Sequence, residues 1–235
     1  MKRILIGSFA CVLTAAGVLV AQSNIDDTVP NKHAWGENIG WTNWRDANAA
    51  LQGVQVGPFV MSGFIWGENV GWITVGDGTP LVPPHYANVD GSDFGVNIDG
   101  AGFLHGFAWG ENIGWINFDG GAMATPPQPA RVLCADPPGL PRARLTGFAW
   151  GENVGWINLA ELTETHYVAL DDASTPIACD VNHDGFVNGL DIQPFINLLL
   201  LRGGSWSDLC AGDQPPQDNV IDLADVGPFV ACLLN

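Results

Sequence analysis

The chain has 235 residues, with 25 acidic and 8 basic side chains and a formal net charge of −17. This charge excludes nucleic acid as a partner, because proteins bind phosphate groups mainly through Lys and Arg side chains. Apolar residues make up 47% of the sequence and aromatic residues 10%, which excludes a globally disordered chain.

Residues 1–22 have the pattern of a secretory signal peptide. Lys2 and Arg3 precede an uncharged apolar run over residues 4–20, and the small residue Ala21 follows it. An N-terminal membrane anchor is the alternative, because the run is close to the minimum length that spans a bilayer. We expect cleavage, and therefore a secreted protein, extracellular or at the cell surface, without a membrane span after cleavage.

A seven-residue phrase, W-G-E-N-[IV]-G-W, occurs four times between residues 33 and 159. Phe, Trp, Ile and Val favour strands, whereas Gly and Asn tolerate the positive φ angles of tight turns. Each copy is therefore predicted to form a β-hairpin. Further strands are predicted before three of the copies, at residues 54–56, 95–99 and 130–133.

The hairpins predict a mainly β domain of four repeat units over residues 23–170. A spare predicted strand at residues 165–170 could pair with the first hairpin and close the array into a barrel or a propeller-like ring without free edges. An open stack of units is the alternative. The phrase resembles repeats of the form GYAW-x-ENIGWI-x-F in uncharacterised secreted bacterial proteins, and this resemblance implies no known activity.

The repeated tryptophans and glutamates each allow two interpretations. Burying one Trp stabilises a fold by up to roughly 4–6 kcal/mol, so we expect most of the eight repeat tryptophans to lie in the core. The alternative is one open Trp per hairpin that stacks on sugar rings, with a glycan as partner. The repeated glutamates are expected to be solvated turn residues beside an Asn that holds the turn, and a cation-binding ring is the alternative. They are Glu37, Glu68, Glu111 and Glu152.

Residues 180–191, DVNHDGFVNGLD, have the spacing of an EF-hand calcium loop. Ca²⁺ takes six to eight hard oxygen ligands, so short oxygen-bearing side chains at alternate positions can wrap around one ion. Gly185 lies where such a loop turns sharply, and Asp replaces the usual Glu at the last position. The loop predicts Ca²⁺ as a cofactor, with ligands from Asp180, Asn182, Asp184, the backbone carbonyl of Phe186, Asn188 and Asp191.

Residues 213–225, DQPPQDNVIDLAD, predict a second and less regular calcium loop. One extra residue separates its first two acidic positions, in a stretch that contains Pro215 and Pro216. Each loop is followed by a similar predicted helix, and the two helices are offset by 34 residues. The expected ligands of the second loop are Asp213, Asp218, the backbone carbonyl of Val220, Asp222 and Asp225.

The duplicated loops, each followed directly by a helix, resemble a type I dockerin over residues 180–235. The resemblance implies a small α-helical calcium domain, which we place at residues 179–235 after a linker at 171–178, and a cohesin-like protein as partner. Loop positions 10 and 11, which help dockerins to choose their cohesin, are Gly189-Leu190 and Leu223-Ala224 rather than the hydroxyl pairs of many dockerins. A self-contained calcium domain without a partner is the alternative.

Four cysteines remain after the predicted cleavage, which suits two disulfides in a secreted chain. A bridge between Cys179 and Cys232 would join the two ends of the C-terminal domain. The five histidines show no metal or triad spacing, so we predict a protein that is not an enzyme. The leading hypothesis is a secreted surface or matrix protein attached through its calcium module. Its rivals are a carbohydrate-binding component of a polysaccharide-degrading assembly and a glycan-degrading enzyme.

Overall fold

The computed structural model describes residues 22–28, 31–134, 142–160, 166–215 and 217–234. The predicted signal peptide lies almost entirely outside these residues, as do Thr165 of the spare strand and Pro216 of the second loop. The strands are β1 His33–Gly36, β2 Gly40–Asn43, β3 Gln55–Val56, β4 Met61–Gly67, β5 Gly71–Asp77, β6 Val96–Ile98, β7 Leu104–Gly110, β8 Gly114–Asn117, β9 Arg131–Leu133, β10 Arg144–Thr146, β11 Phe148–Gly151 and β12 Gly155–Asn158. The helices are α1 Ile192–Leu201, α2 Trp206–Gly212 and α3 Val226–Leu233, with short 3-10 helices at Gly120–Met123 and Gly189–Asp191.

Eight of the strands close into an antiparallel barrel, in the order β1-β12-β11-β8-β7-β5-β4-β2. The four phrases supply these strands as the hairpins β1–β2, β4–β5, β7–β8 and β11–β12. The ring closes because β1 pairs with β12 and β2 pairs with β4. The predicted closed barrel is therefore present, and the open stack was wrong.

The spare segment does not close the barrel, because the hairpins pair directly with one another. Within residues 166–170, Val168 forms a single bridge with Lys32 and Ala169 forms one with Arg144. Val168 and Ala169 are fully buried. The segment therefore packs against the barrel instead of adding a strand to it.

All four junctions between hairpins have the same register. The first Trp of each hairpin lies opposite a polar residue of the neighbouring strand, in the pairs Trp35–Asn158, Trp66–Asn43, Trp109–Thr74 and Trp150–Asn117. Side chains alternate between the two faces of a strand, so this register turns every repeat tryptophan outward.

The barrel interior is filled mainly by small and medium-sized side chains, with the rings of Trp44 and Phe118 buried beside them. Each strand contributes one buried residue at the level of the barrel centre: Ala34, Thr42, Ile65, Ile73, Ala108, Ile116, Ala149 and Ile157. The cavity that remains among them is only about 10 Å³. An eight-stranded barrel has an interior just wide enough for such side chains, so this one is a packed core.

The turns of the hairpins explain both glycines of the phrase. A Cβ atom on Gly67 would lie 2.6 Å from the side chain of Val70, and Gly151 stands in the same relation to Val154. The first glycine therefore makes room for the Ile or Val of the turn. That side chain folds back and packs into the core at the end of the barrel. The second glycine has a positive φ, +76° at Gly40, which side-chain-bearing residues rarely adopt.

The three predicted flanking strands are present as β3, β6 and β9. Strands β3 and β6 extend the hairpins that follow them, by pairing with β4 and β7. Strand β9 pairs instead with β10, and the two form a separate small sheet. No helix in the described part of the chain is long and apolar enough to cross a membrane.

The C-terminal helices pack against the barrel. Trp206 of α2 is buried in the same apolar cluster as the barrel residues, and its indole N–H donates to the carbonyl of Gly57 at 2.8 Å. A disulfide joins Cys134, next to β9, to Cys210 of α2. Arg131 of β9 also donates to the side-chain oxygen of Asn219 at 2.9 Å. The helical region is therefore fixed to the barrel by a buried ring, a covalent bond and a polar contact.

Candidate functional site

The first predicted loop is drawn together by the aspartate at its start. Asp180 is buried, and its carboxylate accepts hydrogen bonds from the backbone N–H groups of Asp184 at 3.1 Å and Gly185 at 2.9 Å. Gly185 has a φ of +87° at the predicted sharp turn. The chain consequently folds back over the Asp180 carboxylate.

The aspartate at the end of the same loop closes it from the other side. Asp191 is fully buried and accepts from the backbone N–H groups of Asn182 at 3.1 Å and Asn188 at 2.8 Å. The side chain of Asn188 donates to the carbonyl of Phe186 at 3.3 Å. The structure thus brings together all six residues that the sequence predicts as ligands: Asp180, Asn182, Asp184, Phe186, Asn188 and Asp191.

The second loop folds in the same way despite its extra residue. Asp213 is buried and accepts from the backbone N–H groups of Asp218 at 3.3 Å and Asn219 at 2.7 Å. Asp225 is also buried and accepts from the N–H groups of Gln214 at 2.7 Å and Asp222 at 2.8 Å. The added residue lengthens the first arm of the loop by one position, and the closing interactions are kept.

The four acidic or amide side chains at loop positions 1, 5, 9 and 12 accept backbone N–H groups in both loops. The side-chain oxygen at position 5 accepts from the backbone N–H of the residue two places later in the chain, at 2.9 Å in the first loop and 3.0 Å in the second. Position 9 does the same at 2.8 Å and 2.7 Å. The matched positions are Asp180 and Asp213, Asp184 and Asp218, Asn188 and Asp222, and Asp191 and Asp225.

One residue of the second loop was missed by the sequence analysis. Asn219 occupies the position that Gly185 has in the first loop, and its φ is +67°. Asn is one of the few residues enriched in this left-handed region, so its place directly after Asp218 was a usable signal. The extra residue ahead of Asp218 obscured that alignment.

The donor set of both loops consists of carboxylate, amide and carbonyl oxygens, which are the ligands that Ca²⁺ prefers. Among the described residues, no three His, Cys, Asp or Glu side chains stand close enough together to hold a metal ion. The three aspartates of the first loop and the four of the second are among the described residues, so in neither loop do the carboxylates converge on one point. The chemistry of the oxygens therefore fits calcium, while their present hydrogen bonds are to the loop backbone.

Electrostatic interactions differ between the two loops. Burial raises the pKa of Asp213, and the charges of Asp225 and Asp218 act in the same direction. In the first loop, a hydrogen bond of 3.0 Å to Asp208 raises the pKa of His183. The second loop thus gathers negative charge, and the first is linked by a His–Asp pair to α2.

The two loops stand back to back on a shared small core. The N–H of Cys179, just before the first loop, donates to the carbonyl of Ala211, just before the second, at 2.8 Å. The disulfide between Cys179 and Cys232 that we expected is present. Phe195 and Phe229, one from each of the helices that follow the loops, are buried between them.

Each of these helices also leaves apolar side chains in the solvent. On α1 the exposed residues Ile192, Ile196 and Leu200 are spaced four apart, so they form one stripe along the helix. Val230 and Leu234 occupy the matching positions on and just after α3 and are exposed as well. These two stripes are apolar surface exposed to solvent.

The repeat tryptophans are on the outer surface, so the expectation that most of them are core was wrong. Six of the eight expose 37–47% of their surface, and Trp109 and Trp156 are partly buried. Their rings instead pair across the first three hairpins, with centroids 4.9 Å apart for Trp35 and Trp41 and 4.6 Å for Trp66 and Trp72. The inward face of each strand is already occupied by the Ala, Thr and Ile residues that alternate with the tryptophans.

The repeated Asn of the turns links neighbouring hairpins into a ring. The side-chain amide of Asn38 donates to the carbonyl of Val154 at 3.1 Å, and Asn69 donates to the carbonyl of Ile39 at 3.0 Å. Asn112 and Asn153 make the equivalent bonds, each 3.0 Å long, to Val70 and Ile113. The adjacent glutamates are exposed turn residues, as expected.

Comparisons of the chain with protein-family models, with curated proteins and with solved structures found no match.

Proposed function

We propose that this chain is a secreted, non-catalytic protein that binds Ca²⁺ through its two C-terminal loops and uses that region to attach to a partner. The observation that carries the proposal is the equivalence of the two loops, in which positions 1, 5 and 9 accept the same backbone N–H groups and position 12 accepts that of position 9. Two loops that differ in length and sequence thus keep the same backbone contacts to oxygen-bearing side chains.

Three features of the loops support a divalent cation as the ligand. Buried carboxylates at both ends of each loop, such as Asp180 and Asp191, are costly unless their charge is compensated. Left-handed backbone at the sixth position, in Gly185 and Asn219, makes the sharp turn that such a loop needs. The dockerin resemblance of residues 180–235 agrees with both.

Attachment is supported by the exposed stripes on α1 and α3. Ile192, Ile196 and Leu200 hold no place in the core, yet they are apolar at a regular helical spacing. A helix that presents apolar residues in this way suits a groove on another protein. We propose a cohesin-like protein as that partner, with Ca²⁺ fixing the loops from which both helices start.

The test uses the full secreted chain, because α2 shares the core of the barrel through Trp206. Chelator-treated protein is titrated with CaCl₂ in a calorimeter and melted in Ca²⁺ and in EGTA. We expect at least one site and a higher melting temperature in Ca²⁺, because a ligand that binds only the folded state stabilises it.

Variants of exposed loop residues identify the ligands. Asp184→Ala should weaken one site at least tenfold and Asp218→Ala should act on the other. Asp77→Ala is the matched control, since Asp77 also accepts a backbone N–H two residues later in the chain, from Thr79 at 2.8 Å, but lies at the end of barrel strand β5. The proposal would be rejected if the CaCl₂ titration gave no heat of binding and the melting temperatures in Ca²⁺ and EGTA were equal. A Ca²⁺ titration of Asp184→Ala identical to that of the unmodified protein would also reject it.

A further inference from the structure

The outer face of every hairpin carries three aromatic or imidazole rings. In the second hairpin, Trp72 packs against Trp66 at 4.6 Å and against Phe64 at 6.3 Å between ring centroids. The glycines, the Asn and the Ile or Val of the phrase are explained by the barrel and its turns, but the tryptophans lie outside both. Exposed apolar surface of this kind is a place to look for a binding site, and at the third hairpin it is shaped into a cavity.

At the third hairpin a loop adds a fourth ring, as His166 does beside Trp41 of the first hairpin, and here it also creates a concave shape. Trp115 contacts Trp109 at 4.7 Å, Phe107 at 5.9 Å and the loop residue Phe94 at 5.0 Å, with Phe94 almost perpendicular to it at 88°. The resulting cavity has a volume of about 380 Å³, within the usual range for small-molecule sites. Its lining consists of Asn88, Val89, Asp90, Gly91, Phe94, Phe107 and Trp115.

The loop that forms this cavity is held in place by its own polar groups. Asp93 is buried and accepts from the backbone N–H groups of Ala87 at 2.9 Å and Leu81 at 3.2 Å. Asn88 accepts from the N–H of Gly95 at 3.1 Å, and its own N–H donates to the carbonyl of Asp93 at 2.9 Å. The cavity is therefore formed before any ligand arrives.

We propose that the cavity of Phe94, Phe107 and Trp115 binds a hexopyranose unit of a neutral polysaccharide. A pyranose ring offers an apolar face of C–H groups, which packs on an aromatic ring, and an edge of hydroxyl groups. The exposed carboxylate of Asp90 on the cavity wall can accept from such hydroxyls. This sugar site is independent of the proposed calcium function, and the failure of either proposal leaves the other unaffected.

Charge selects a neutral polysaccharide over a charged one. The chain has a net charge of −17, so polyanions such as polygalacturonate are repelled. A second copy of this chain carries the same negative charge and is repelled likewise. A single sugar unit matches the size of the cavity.

The test is affinity gel electrophoresis of the full secreted chain in gels that contain soluble β-glucan, xylan or galactomannan, with polygalacturonate as the charged probe. We expect at least one neutral polysaccharide to retard the protein and polygalacturonate to leave it unretarded. Trp115→Ala and Phe94→Ala should each weaken the retardation at least tenfold. Retardation should be equal in Ca²⁺ and EGTA, which separates this site from the calcium loops.

Trp72→Ala is the matched control. It removes the same cross-strand pair from the second hairpin, where Trp72 is exposed and contacts only described rings of its own hairpin, Phe64 and Trp66. We expect this variant to bind within threefold of the unmodified protein. Absence of retardation in all three neutral gels would overturn the proposal. So would an equal loss in Trp72→Ala and Trp115→Ala, or concentration-dependent dimers in sedimentation that Trp115→Ala abolishes.

Discussion

Phe195 and Phe229 stack face to face, with ring centroids 3.9 Å apart and planes only 5° from parallel. The two residues are 34 positions apart, which is the offset between the two loop-and-helix units. Both rings are 97% buried, and the two loop-and-helix units meet at this contact. The stack ties the helix after one loop to the helix after the other.

Replacing Phe195 by Ala should therefore destabilise the C-terminal helices strongly. Removing a buried Phe costs about 3–5 kcal/mol, through lost burial and the cavity left behind. We expect that loss in the free energy of opening of α1 and α3, measured by native-state hydrogen exchange. Leu200→Ala, on the exposed stripe of α1 with 73% of its surface accessible, is the control and should change it by less than about 0.5 kcal/mol. Equal effects of the two changes would contradict a shared core.

His105 on β7 lies between two aspartates and should make stability depend on pH. Its Nδ1 is 2.6 Å from Asp119 and its Nε2 is 3.4 Å from Asp99. Burial lowers the pKa of His105, but the two carboxylates outweigh this and raise it above the usual 6.5. The protonated ring is thus favoured in the folded state.

The upward shift of the His105 pKa determines how stability changes with pH. The stabilisation by His105 is complete below the unfolded-state pKa of about 6.5 and is lost as the pH rises through the higher folded-state value. Proton NMR titration should show an imidazole with a pKa above 6.5 that disappears in His105→Gln, whereas the raised pKa of His183 should remain. The difference in unfolding free energy between the two proteins should shrink as the pH rises above 6.5. A His105 pKa at or below 6.5 would refute the prediction.

The hairpins and the turn of the first acidic loop were predictable because their signals are local. Gly40, Asn38 and their equivalents predict the hairpin turns from local sequence, and the oxygen-bearing side chains at alternate positions from Asp180 to Asp191 predict the loop. The outward direction of the tryptophans was not predicted, because the expected free-energy gain from burying a Trp ring took no account of the limited width of an eight-stranded barrel. In Ala-Trp-Gly and Trp-Ile the alternation already places Trp on the face opposite Ala, Gly and Ile.

Other features depend on contacts that a sequence does not show. Phe94 reaches Trp115 only because Asp93 and Asn88 fold the loop back over the third hairpin. Trp206 enters the barrel's apolar cluster although it follows Gly57, its hydrogen-bond acceptor, by almost 150 residues. Both contacts depend on the packing of segments that are distant along the chain, which no local pattern encodes.

The ring of turn amides offers the sharpest test of the barrel, because each Asn has an exposed Glu beside it as a control. Asn112 donates to the carbonyl of Val70 in the neighbouring turn at 3.0 Å. Asn112→Ala removes that bond and leaves the carbonyl without this donor, so the free energy of unfolding should fall by about 1–2 kcal/mol. Urea unfolding followed by tryptophan fluorescence measures it, since the outer rings report on the barrel. Glu111→Ala changes the adjacent solvated residue and should shift the same free energy by less than about 0.5 kcal/mol. Indistinguishable unfolding curves for the two variants would mean that the amide ring does not hold the hairpins together.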